Sequence, residues 1–112
     1  MNKQRYLEVE IKGYKWKVFC QTDAAFNRKH GSKVYHIVYP EDREMYFNKR
    51  YLTLTFAIHE VCHAFLWSTD TEHSQNLTED DIEDLIITVL SKNFARILQI
   101  AQDILDFFGG DK

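Results

Sequence analysis

Little in this chain interrupts regular structure: among its 112 residues there are one proline and four glycines. A long disordered linker is therefore not expected. Two cysteines, Cys20 and Cys62, lie far apart. They are too few for a disulfide framework, and free thiols suit a reducing cytosol. No apolar run approaches the roughly 18 residues of a membrane span. The opening Met1-Asn2-Lys3-Gln4-Arg5 leads into an alternating segment instead of an apolar signal segment. A cytoplasmic protein without membrane association is expected. Basic charge is also scarce, at a net charge of −3. Lys12, Lys15 and Lys17 form one local cluster, which reads as the solvated face of a hairpin, so no nucleic-acid partner is expected.

What the chain does have is bulk. Hydrophobic residues make up 45%, with eight Phe, six Tyr and two Trp. That is enough for one compact core, so residues 1–112 are read as a single domain. Residues 5 to 12 alternate, with Leu7, Val9 and Ile11 between Glu8, Glu10 and Lys12. Gly13 interrupts the pattern, and alternation resumes from Tyr14 to Cys20, which predicts a hairpin. Residues 21 to 32 are polar and read as a loop or short helical connection. Val34 to Tyr39, ended by Pro40, is a third strand candidate, and Arg43 to Asn48 a fourth.

From Tyr51 the period lengthens. Leu52, Phe56, His59, His63 and Leu66-Trp67 recur at helical spacing, predicting a helix over about 50–68. Thr69 to Asn76 reads as a loop. Thr78 is a good N-cap, with Glu79, Asp80 and Asp81 matched to the helix dipole behind it. Apolar positions from Ile82 to Leu105, Phe94 among them, keep helical periods. They predict one helix to about Phe108, or two joined near Ser91 to Asn93, ended by Gly109-Gly110. The expected fold is α+β: an antiparallel sheet of three or four strands packed on the first helix and on a long C-terminal one.

The chemistry concentrates at His59-Glu60-Val61-Cys62-His63, an H-E-x-x-H pattern. Residues four apart share a helix face, so His59 and His63 can bind one metal ion. Glu60 is placed to act as general base on a metal-activated water. A catalytic zinc site needs a third protein ligand and an open position. The acidic run after the motif helix is its best source. Glu79 is preferred for its longer side chain, with Asp80 as the alternative one residue on. Glu83, four after Glu79, would orient a ligand histidine through the ring's free nitrogen. Leu66 and Thr69 stand where a metzincin needs Gly and His, so that class is rejected. His73 fits no short ligand spacing. His30 and His36 read as surface or strand-face residues, although a strand residue beside the motif helix could touch substrate.

The string Leu54-Thr55-Phe56-Ala57-Ile58-His59-Glu60-Val61-Cys62-His63-Ala64-Phe65 resembles the motif helix of small zincin-like metallopeptidases of phages and mobile elements, related to the ImmA/IrrE-type peptidases. In that group a sheet precedes the motif helix and an acidic segment follows on the next helix. The resemblance places Glu79 at the ligating glutamate and Glu83 at the polar residue four later. Ile82 stands where Ala is usual, Glu83 where Asn or Asp is usual, and Cys62 where Gly, Leu or Thr is common.

Taken together, the motif and the resemblance predict a zinc-dependent peptidase of phage or mobile-element origin, acting in the host cytoplasm on a protein or peptide substrate. An extended peptide would add to a sheet edge, either Val34 to Tyr39 or Arg43 to Phe47. The alternative is a catalytically silent zinc-binding module for protein–protein interaction. In that case the long C-terminal helix is core or a dimer seam, and Phe107-Phe108 an exposed contact or a core plug.

Overall fold

In a computed structural model of the protein, residues 5–68 and 79–109 are described, the side chains of 79–82 excepted. The elements run β1 (Tyr6–Ile11), β2 (Tyr14–Gln21), α1 (Asp23–His30), β3 (His36–Tyr39), β4 (Glu44–Asn48), a 3-10 turn (Lys49–Tyr51), α2 (Leu54–Trp67) and α3 (Glu79–Phe108). The fold is α+β, as the periodicities require. The segment read as loop or short helix is α1, capped by Thr22, whose hydroxyl accepts from Ala25 N. The predicted loop at Thr69 to Asn76, the Thr78 cap and His73 lie outside the described residues.

The sheet departs from expectation in one respect: it is mixed, not antiparallel throughout. Its order is β1-β2-β4-β3. β1 pairs with β2 and β3 with β4 in antiparallel fashion, but β2 and β4 are parallel, with Val18 opposite Met45 and Cys20 opposite Phe47. The connection through α1 and β3 is long enough to return the chain in the same direction. Antiparallel pairing at β1–β2 sets Glu8 opposite Lys17 and Glu10 opposite Lys15, so the lysine cluster is indeed the exposed face of the hairpin.

Strand alternation gives the sheet two covered faces. Val9, Ile11, Trp16, Val18, Met45 and Phe47 point into the main core beneath α2 and α3. Phe19 and Tyr46 point the other way and stack at 4.8 Å, with Phe26 of α1 closing a smaller cluster. α3 is one unbroken helix of 30 residues, not two. It buries Val89, Ile97, Ile100, Ala101, Ile104 and Leu105. Phe94 keeps the apolar period but is 58% exposed. Gly109, at φ 73°, closes α3 by donating to Leu105 O at 2.7 Å. Phe108 packs on the core and Phe107 stands edge-on to it, under the Arg5 guanidinium, so the pair is a terminal plug.

Candidate metal centre

α2 begins at Thr53, whose hydroxyl accepts from Phe56 N at 3.2 Å. It ends at Ser68, whose hydroxyl donates to Ala64 O. Between these caps the helix divides sharply. Ala57, Glu60, Val61, Ala64 and Phe65 are buried, a spacing of three and four that marks the face laid on the core. His59 and His63 occupy an exposed face. The motif thus leaves two imidazoles open to an incoming ion while turning the carboxylate between them inward.

The histidines converge: His59 Nε2 and His63 Nε2 are 3.1 Å apart. Two imidazole nitrogens on a tetrahedral zinc at 2.0–2.1 Å would stand about 3.3 Å apart, so the pair is already close to ligating geometry. Glu60 Oε1 lies 3.8 Å from His59 Nε2. Ligand atoms of His59, Glu60 and His63 all fall within 4.8 Å of one another. Among the described residues this is the group able to hold a metal ion.

Of the expected supporting residues, Glu79 and Asp80 head α3, but their side chains lie outside those described. Glu83 is exposed and does not join the ligand group. Cys62, between the histidines, is half-buried against the core and belongs to no ligand group. Burial pushes its thiol up from the ordinary range, which opposes thiolate ligation.

His36, read from the sequence as a surface or strand-face residue, belongs to this site. It sits on β3 with its Nδ1 2.6 Å from Glu60 Oε1. Its ring packs 4.7 Å from Phe56 and 5.3 Å from His59, centroid to centroid. A cleft of about 450 Å³ opens here, with His36, Ile37, Val38 and Pro40 on one wall and Glu60, His63, Leu66 and Trp67 on the other. β3 is an edge strand and β4 is interior. This removes Arg43 to Phe47 as a docking edge and leaves the β3 segment. The sequence signal for His36 was its period-2 match to Val38, which places both on one face, but both faces of that strand carry apolar residues.

Comparison with known families, curated proteins and solved structures returned no match. Among the described residues no helix is long and apolar enough to cross a membrane.

Proposed function

We propose that the protein is a zinc-dependent peptidase. The observation that carries this reading is the convergence of His59 and His63 at 3.1 Å beside a buried carboxylate that opens onto a cleft. His59 and His63 would hold the ion, with Glu79, or Asp80 one residue on, as the third ligand and Glu83 as a supporting group. Bound zinc supplies a Lewis acid that polarises a carbonyl and brings the pKa of water to about 7.

The chain's own residues do the rest. Glu60 takes the proton from the attacking water and returns it to the leaving amine. Its burial keeps competing solvent from the carboxylate and strengthens its interaction with charge developing in the cleft. The free edge of β3, on the wall of the same cleft, suits an extended peptide bound by strand addition, with Leu66 and Trp67 offering apolar surface to its side chains. The substrate class is then an unfolded or extended segment of protein, in keeping with an enzyme of phage or mobile-element origin working in a host cytoplasm.

Zinc-loaded protein incubated with denatured casein tests this. Fragments should appear with the wild type and fall by at least about 100-fold with Glu60→Gln, as expected when a general base is removed. Equal cleavage by Glu60→Gln would refute the assignment.

A second reading, a metal-holding interaction module without catalysis, draws on Ile87 and Phe94. They lie seven residues apart on one face of α3 and are 55% and 58% exposed. Four protein ligands on the metal would favour that module, and three would favour the enzyme.

A further inference from the structure

Glu60 is 4% exposed, and a carboxylate so placed needs a partner that offsets its lost hydration. It sits on the core-facing side of α2 among Ala57, Val61 and Ala64, which offer no donor side chain. The opposing strand supplies one. His36 Nδ1 is itself fully buried and has no aligned hydrogen-bond partner. Glu60 Oε1 is nonetheless 2.6 Å away, off the ring N–H axis. Two buried polar groups thus face each other across the cleft floor, while His59 Nε2, 3.8 Å from Glu60 Oε1, is too far to hydrogen-bond it, and a rotation of the His36 ring would align the pair.

We infer that His36 is a positioning residue for Glu60: its Nδ1–H holds Oε1 and so fixes the carboxylate that receives the proton of the attacking water. This rests on the peptidase reading for its consequence, though not for its geometry. His36 is held for the task. Phe56 and Phe47 flank its ring at 4.7 and 6.3 Å, and β3 pairing to β4 sets His36 opposite Phe47. The ring nitrogen therefore comes from the sheet while the carboxylate comes from the helix. The general base is located by the β3–α2 junction, on the same strand whose edge faces the substrate. His36 does not join the 4.8 Å ligand group, so it acts on the base and not on the ion.

Two measurements test this. In the metal-free wild type, nitrogen-detected NMR of the imidazoles should place a proton on His36 Nδ1, and its exchange with water should quicken at least about tenfold in Glu60→Ala, since a buried hydrogen bond protects its proton. A bare Nδ1, or exchange indifferent to Glu60→Ala, overturns the inference. In the zinc-loaded protein with denatured casein, His36→Phe should lower kcat at least about tenfold with KM little changed and zinc content intact. His36→Asn, whose amide can take the Nδ1 position, should restore part of the rate, and His36→Gln should not. Loss of zinc in His36→Phe, wild-type kcat, or a change in KM alone would each contradict the role. If the wild type cleaves nothing, the peptidase reading fails while the NMR result still decides whether His36 holds Glu60.

Discussion

Glu60 occupies a position that the α2 core pattern would give to an apolar residue. Burial of a carboxylate is tolerated there at an energetic cost, and removing the charge without changing the shape should relieve it. Glu60→Gln is therefore expected to melt no lower than the metal-free wild type, and up to about 1 kcal/mol more stable, while losing cleavage. Calorimetry of both metal-free proteins checks this; a clear loss of stability would show that the charge is held better than the desolvation argument allows. Asn48 presents the opposite case. It is 1% exposed, donates to Asp23 Oδ1 at 2.7 Å and accepts from Arg50 N at 3.0 Å. One amide thus ties the start of α1 to the turn before α2. Asn48→Ala removes both bonds, though Asp23 keeps Asn27 and Arg50 as partners, and should cost about 1–2 kcal/mol in denaturant unfolding.

At the scale of elements, periodicity carried most of the fold. The β1–β2 hairpin and α2 followed from periods of two and of three to four, and the helical stretch to Phe108 from an apolar stripe that Phe94 violates, but the stripe did not decide between one helix and two joined near Ser91 to Asn93, which the structure shows as one. The parallel β2–β4 pairing was not legible, because it depends on where a long connection returns and not on any local pattern. The same limit hid His36: alternation puts it on a face with Val38, but only the pairing to β4 says that this face meets α2. The hairpin turn bears on stability directly. Lys12 and Gly13 both have positive φ, 55° and 85°, as a two-residue primed turn requires. Glycine accepts this and lysine pays for it. Lys12→Asn should raise stability by about 0.5–1 kcal/mol, measured by thermal unfolding; a fall would mean that the lysine side chain contributes more than its backbone strain.

For the whole molecule, α3 sets the dimensions. Thirty residues at 1.5 Å each give about 45 Å, and the longest extent is 46 Å. One face of the sheet meets α2 and α3, and the other carries α1 with a network of polar and aromatic groups. There His30 Nδ1 lies 2.7 Å from Tyr39 Oη, and His30 Nε2 3.2 Å from Gln21 Oε1. Burial, with Lys29 beside it, lowers the pKa of His30 from 6.5. Below that value the unfolded chain takes the proton more readily than the folded one, so this contribution to stability is present above pH 6.5 and is lost as pH falls toward the depressed folded value. The melting temperature should therefore drop on acidification from pH 7.5 to 5.5, and by less in His30→Gln. An equal drop in both would assign the acid sensitivity elsewhere.

These scales meet at the pair of histidines that α2 presents outward over a buried glutamate. The most direct test is metal content by elemental mass spectrometry after zinc loading and desalting. About one zinc per chain is expected in the wild type and in Glu60→Gln, with loss in His59→Ala and in His63→Ala, since the site needs both imidazoles and not the carboxylate. No zinc in the wild type, or undiminished zinc in His59→Ala, would contradict the account.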